Sequence, residues 1–263
     1  MGPHGIGMTR NYPMKEGVKG EARDHPHQRS LWYNHGRVNG IDFWHEGKKA
    51  GRIVHDKLIK AASDGTCAVI QATNKWLDPK GRAVCADACT LRFSAVPGGR
   101  AIDWEITIRA SAGDVTFGDT KEGSMGIRTH PNLRLRGPTA TGQAVNSEGV
   151  KGLGVWGKRA KWVDYWGKID DKTVGIAMFD HPSNPRHPTW WHARDYGLIA
   201  ANPFGISRFD RKAKMKGDMK IAKGESVTFR YRFIFHEGDC KQAKIAELYE
   251  QYAAAKPEAE KGR

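Results

Sequence analysis

Between positions 24 and 45 the chain concentrates groups that move protons. It reads Asp24-His25-Pro26-His27-Gln28-Arg29-Ser30-Leu31-Trp32, then His35-Gly36, then Val38-Asn39-Gly40-Ile41-Asp42-Phe43-Trp44-His45. Four histidines and two aspartates in so short a stretch exceed ordinary usage. Histidine serves as general acid or base near neutral pH and is the commonest transition-metal ligand. In extended chain His25 and His27 face one side, across a proline that interrupts regular pairing. A polar loop whose histidines satisfy backbone groups is the bland alternative, and the density of the cluster favours function.

Two further segments carry chemistry. Asp119-Thr120-Lys121-Glu122-Gly123-Ser124-Met125-Gly126-Ile127-Arg128 is a turn into a strand, with Glu122 a candidate partner for a histidine and Arg128 a candidate cation. The third runs from Phe179-Asp180-His181-Pro182 through Trp190-Trp191-His192-Ala193-Arg194-Asp195-Tyr196-Gly197 to Asn202-Pro203-Phe204-Gly205. Tryptophans beside His, Arg, Asp and Tyr are the ingredients of a sugar site, because an aromatic face packs on the apolar face of a pyranose while polar groups read its hydroxyls. A structural aromatic corner would account for one of the two tryptophans. Arg29, Arg128 and Arg194 lie inside these segments. An arginine fork matches a carboxylate, which points to an acidic sugar unless these arginines merely pair with Asp24, Glu122 or Asp195. All three segments are expected to converge on one concave face.

Strands must position them. Gly51–Lys60, Thr66–Leu77, Val84–Val96, Ala101–Ala110, Trp162–Ile169, Thr173–Phe179 and Ser226–Phe235 read as strands, the fourth alternating Ile102, Trp104, Ile106 and Ile108 against Asp103, Glu105, Thr107 and Arg109. Asp78-Pro79-Lys80-Gly81 and Pro97-Gly98-Gly99-Arg100 are turn signals. One helix is predicted over Lys241–Ala255, from Ile245, Leu248, Tyr249 and Tyr252, with Asp239 as N-cap, before a charged tail at 256–263. The fold class is therefore all-β, an antiparallel β-sandwich with one C-terminal helix, and residues 1–263 form a single domain. The cluster at Asp24 leaves little chain before it for supporting strands, so the domain is expected to lack its first strands.

Bulk properties narrow the class. Hydrophobic residues make up 39% of the 263 positions, enough for a sizeable core. No apolar run approaches the roughly 20 residues that span a bilayer, and the opening residues lack the apolar region of a secretory signal. The compartment stays open, a periplasmic or secreted parent included. Lys and Arg number 43 against 29 Asp and Glu, a net charge of +14 that attracts polyanions. The densest run, Arg211 to Lys223, is explained by a solvated loop or edge strand. A nucleic-acid partner is disfavoured, since no recognised motif accompanies the charge. Cys67, Cys85, Cys89 and Cys240 lack zinc-ligand spacing and read as buried, reduced thiols. Gly152-Leu153-Gly154-Val155-Trp156-Gly157 matches a dinucleotide fingerprint by letter, but residues 158–169 read as strand instead of the required helix, which argues against NAD.

The motifs DHPHQRSLW with HGRVNGIDFW, KEGSMGIR, and FDHPSNPRHPTWWHARDYGLIAANPFG resemble the bacterial PmoA-like family, over residues 9–235. That family carries a methane-oxygenase name, and the lack of any membrane span argues against such an activity. What the resemblance implies is a galactose-mutarotase-like supersandwich, a fold used by sugar epimerases, lyases and hydrolases, and larger relatives with strands before this point. Carried over by motif, the catalytic positions are His25, His27, Arg29, His35, Glu122, His181, His192 and Arg194. Trp32, Arg128, Trp190, Trp191, Tyr196 and Asn202 are the substrate-binding set. The resulting expectation is a carbohydrate-active lyase or hydrolase. A mononuclear Cu, Zn or Mn site with His25, His27 and His35 as ligands, and a non-catalytic carbohydrate-binding module, are the alternatives.

Overall fold

The alternating segments become long antiparallel strands. The computed structural model describes residues 2–12, 14, 16 and 18–255, so the charged tail lies outside the described residues. In chain order the strands are β1 (Leu31–His35), β2 (Arg52–Ser63), β3 (Cys67–Leu77), β4 (Ala83–Val96), β5 (Gly99–Arg109), β6 (Val115–Phe117), β7 (Gly123–Arg128), β8 (Gln143–Asn146), β9 (Trp162–Ile169), β10 (Lys172–Asp180), β11 (Trp190–Trp191), β12 (Leu198–Asn202), β13 (Met219–Ile221) and β14 (Ser226–Glu237). They build an eight-stranded sheet in the order β2-β3-β4-β5-β14-β10-β9-β8 and a four-stranded sheet in the order β1-β7-β12-β11, with β13-β6 as a separate pair. The chain is thus a mostly antiparallel β-sandwich with one C-terminal helix of any length.

Local chemistry sets the turns. Asp78 accepts the Lys80 and Arg82 amides at 2.8 and 2.9 Å, and Gly81 takes the φ of +82° that closes the β3–β4 hairpin. Along β5, Ile106 and Ile108 face the core while Asp103 and Glu105 face outward, each directly opposite an arginine of β14: Arg232 at 2.5 Å and Arg230 at 2.6 Å. Between the sheets, Tyr33, Met125, Ile127, Trp191, Ile199 and Ala201 of the smaller sheet join one core cluster with Trp76, Ile106, Tyr165, Met178, Phe229 and Phe233 of the larger. Each large apolar side chain so buried contributes about 1.5–3 kcal/mol.

The outer face of the large sheet is covered by α2 (Ile245–Ala254), which follows a one-turn α1 (Ile206–Phe209) in chain order. Ile245, Leu248, Tyr249 and Tyr252 pack on Ala101, Trp162, Ala177, Phe179 and Ile234. The helix starts later than its sequence pattern suggests. Asp239 does not cap it: its carboxylate accepts the amides of Lys241 and Gln242 in a preceding turn, and Lys244 is the residue before the first helical turn. All four cysteines are free, but only Cys85 and Cys89 are buried; Cys67 and Cys240 are half-buried. Gly152–Val155 is a 3-10 turn ahead of strand β9. Among the described residues no helix is long and apolar enough to cross a membrane.

Candidate functional site

The three chemistry-bearing segments are neighbouring strands of the smaller sheet. Trp32 of β1 registers with Gly126 of β7, which registers with Ala200 of β12. His192, just past β11, exchanges backbone hydrogen bonds with Ala200 at 2.8 and 3.2 Å. Strand alternation puts this row on the face opposite the core residues Tyr33, Met125 and Ala201. With strands about 4.8 Å apart, His192 and Trp32 lie about 14 Å apart across Gly126 and Ala200, both of them buried. A Cβ on Gly126 would lie 2.7 Å from the Trp32 ring, so the indole lies across the glycine. Trp32 in turn meets Trp44 edge-on at 5.6 Å, with Leu198, Ala200 and Tyr196 completing a small apolar patch.

One end of this face carries two carboxylate-supported imidazoles with a third between them. Asp24 bonds His25 Nδ1 at 2.6 Å, and Asp42 bonds His45 Nδ1 at 2.8 Å. The His27 ring lies 5.7 Å from that of His25 and 4.7 Å from that of His45. His25 stacks on Tyr196 at 5.0 Å and sits at a φ of +48°, a conformation that side-chain residues adopt at a cost. Its position is held from beneath. Arg128, fully buried, forks onto both oxygens of Asp24 at 2.9 and 3.0 Å, bonds Gln28, and lies 4.6 Å from the Tyr196 ring centre. Arg10, also fully buried, ties the carbonyls of Ala22, Asp24 and His25 into place. Burial would raise the Asp24 carboxyl, but its bonds to His25 and Arg128 outweigh that and hold it well below the usual carboxylate range.

At the other end stand Glu122 and His192. Burial lowers His192 to about 4, against the pull of Glu122, and the Lys121 backbone accepts a hydrogen bond from the ring. Nδ1 is buried without a partner, so it is the ring nitrogen left to meet a ligand. Burial also pushes Glu122 upward, but bonds from Thr120 and Lys121 prevail and keep it ionised. His27 is lowered to about 4 by burial, reinforced by His45 and His25, and its Nε2 is buried and unpartnered. Trp32 Nε1 and Asn34 Oδ1, on the same face of β1, are unpartnered as well. Buried polar atoms are nearly always bonded, and these four are among sixteen unpartnered ones in the described residues.

The other predicted positions divide plainly. Arg194 flanks the row beside His192, 5.4 Å from the Tyr196 ring, and has no carboxylate partner among the described residues. Arg29 pairs with Glu46 on the exposed rim. Arg128 is engaged by Asp24, the bracing alternative, which removes it as a substrate clamp. Trp190 lies at the sheet edge beneath Arg159. Trp191 is in the core, its Nε1 bonded to the Ala160 carbonyl, which takes it away from any ligand. Asn202 is fully buried and braces a loop, bonding the Thr120 carbonyl and the amides of Phe204 and Gly205. His181 is elsewhere, bonded to Ser183 and against Tyr252 of α2. His35 turns inward: its ring meets Phe117 and Phe204, and its Nε2 donates to the Gly118 carbonyl at 2.7 Å. The set His25, His27 and His35 is therefore not a cluster; His45 is the third imidazole. Among the described residues no three His, Cys, Asp or Glu side chains are grouped to hold a metal ion. Asp24, Asp42, Trp44 and His45 lie in the polar cluster that the sequence displays but are absent from its catalytic and substrate-binding sets; the Asp-x-x-His spacing at 42–45 was the available signal.

An antiparallel two-sheet sandwich bearing a polar site on the outer face of its smaller sheet is thus the class of protein defined. The chain belongs to a family of unknown function, DUF6807, whose model matches residues 1–250. No curated protein matches it. Solved structures similar to it include a galactose mutarotase-like protein from Clostridium acetobutylicum, at 9% identity over 88% of this chain and 86% of that one, with a TM-score of 0.40. The alpha-galactosidase from Lactobacillus brevis is similar at 11% identity and a TM-score of 0.41, over 93% of this chain but 33% of that one. The Slr1438 protein from Synechocystis sp. PCC 6803 matches at 8% identity and 0.38, the alignment covering 69% of this chain and 66% of that one.

Proposed function

We propose that the protein is a carbohydrate-active enzyme that breaks a glycosidic bond by proton transfer, with the outer face of the four-stranded sheet as its active site. The observation that carries this is the pairing of unsatisfied, neutral imidazole nitrogens at His27 and His192 with an aromatic floor at Trp32 and Trp44. Trp32 and Trp44, both buried, back this face, and Trp32 Nε1 and Asn34 Oδ1 are a donor and an acceptor left unpaired for a ligand's hydroxyls.

Elimination uses these groups as they stand. Glycoside hydrolysis by a carboxyl pair needs one carboxyl held protonated, whereas Asp24, Asp42 and Glu122 are all held on the ionised side. The proton carriers are then imidazoles. A neutral imidazole takes the proton from the carbon beside a uronate carboxyl, the electron pair forms a carbon–carbon double bond, and the bond to the glycosidic oxygen on the next carbon breaks. That oxygen receives the proton from the imidazolium, so no water is consumed. Arg194 is the cation placed to meet the carboxylate. Asp24 and Asp42 orient the flanking rings, and Glu122 stabilises charge at His192.

The test is a screen of neutral and uronic-acid glycans, read both by ultraviolet absorbance of an unsaturated product and by oxygen-18 uptake from water. Unsaturated product without label, lost in His27→Gln and His192→Gln, is expected. Labelled product would assign hydrolysis, and turnover unchanged in both variants would reject the site.

A further inference from the structure

Resting on the proposed carbohydrate site, we infer that its substrate is an extended anionic glycan chain, tracked beyond the reacting sugar by the loop at residues 205–218. The loop is fixed at both ends next to the site. Ser207 and Gly217 donate their amides to one oxygen of Asp119, at 3.1 and 2.7 Å, and Arg186 bonds the carbonyls of Pro203, Gly217 and Asp218. Phe209 seats it, its ring 6.1 Å from that of His192 and 5.8 Å from that of Trp156. The closed ends and packed anchor hold the segment between them at the His192 end of the row.

That segment carries Arg208, Arg211, Lys212, Lys214 and Lys216, all exposed, and among the described residues none pairs with a carboxylate. Only Asp210 and Asp218 offset them, and both accept backbone amides. Elsewhere around the site the cations are neutralised: Arg128 by Asp24, Arg29 by Glu46 and Lys121 by Glu122. Besides Arg194 and the exposed Lys48 and Lys49, the unpaired charge near the site is concentrated on this one loop leading away from His192. An exposed lysine-rich strip adapts to a repeating anion without reading each unit, which suits a polymer more than a single sugar. A glycan is favoured over a nucleic acid because, among the described residues, the strip carries no run of exposed aromatics on which successive bases would stack.

The experiment compares wild type, His192→Gln, and a fivefold variant (Arg208→Gln, Arg211→Gln, Lys212→Gln, Lys214→Gln, Lys216→Gln). Binding to polygalacturonate, its methyl-esterified neutral counterpart and single-stranded DNA is measured across a salt series. Wild type is expected to bind polygalacturonate with steep salt dependence, and the fivefold variant about tenfold or more weaker at low salt, with the gap closing at high salt. Binding to the esterified polymer should be equal for both. An unchanged salt slope in the fivefold variant overturns the inference, as does DNA binding as tight and as loop-dependent as that of polygalacturonate. Loop-dependent binding with no product in wild type would instead fault the catalytic reading and leave the loop's role standing.

Discussion

Arg128→Met isolates the device that positions His25. The substitution removes two charge-assisted bonds to Asp24, a bond to Gln28 and a ring contact with Tyr196, all made by a fully buried guanidinium. Breaking a fully buried pair costs about 3–5 kcal/mol. Two features reduce that here. The Asp24 side chain is 36% exposed and can recover hydration, and Arg128 repels Arg10 and Arg134, a repulsion that the variant relieves. A net loss of about 2–3 kcal/mol is therefore expected. Because several interactions change together, the pair is isolated by a cycle of Arg128→Met, Asp24→Asn and the double variant, using urea unfolding at pH 7. Coupling of about 1.5 kcal/mol or more is expected. Additivity within about 0.5 kcal/mol would refute the idea that Arg128 acts through Asp24.

Burial lowers His27, His35 and His192 to about 4 in the fold, while the unfolded chain protonates near 6.5. The unfolded state then binds more protons between these values, so stability should fall as pH drops from 6.5 towards 4; urea midpoints that do not fall in this window would contradict it. His35→Asn should flatten that slope, and His192→Gln should shift the acid limb of turnover. Gly126→Ala should displace the buried Trp32 indole, costing about 1–3 kcal/mol in urea unfolding and weakening ligand binding; a conformer with Trp32 unmoved in a crystal structure of the variant would count against the packing. Trp191→Ala should cost about 3–5 kcal/mol in urea unfolding as a core cavity, and Trp32→Phe, a smaller loss from a buried ring, about 1 kcal/mol, with loss of the Nε1 donor weakening glycan binding by about 1 kcal/mol more.

The large sheet was legible because its strands are half-exposed. Alternation at Ile102, Trp104, Ile106 and Ile108 survives where one face packs and the other is more open, and β3, β4 and β14 read out for the same reason, whereas β9 is buried on both faces and reads out from its apolar content. The smaller sheet has no such pattern. Strands β7 and β12 are buried on both faces and built partly of Gly and Ala, so no alternation marks them: Asp119–Arg128 reads only as a turn into a strand, and Leu198–Asn202 is not picked out as one. The site segments were recognisable from residue type, but side-chain direction was not. His35 and His45 are equally polar in sequence, yet one lies above Phe117 in the core and the other on the rim beside His27. Trp190 and Trp191 differ only in parity along β11. The buried arginines were the hardest to foresee, because a guanidinium normally lies in water. Arg10 and Arg134 tolerate burial only once Glu21 and Asp24 fold against them, which no local pattern announces.

Imidazole nitrogen NMR of the full chain, titrated with an oligogalacturonate, tests the site most directly. The expected result is His192 as the Nε2–H tautomer, with the His192 Nδ1 and His27 Nε2 resonances shifting at saturation while His35 and His181 stay fixed. Shifts confined to His181 or His35, with His27 and His192 unmoved at saturating ligand, would contradict it.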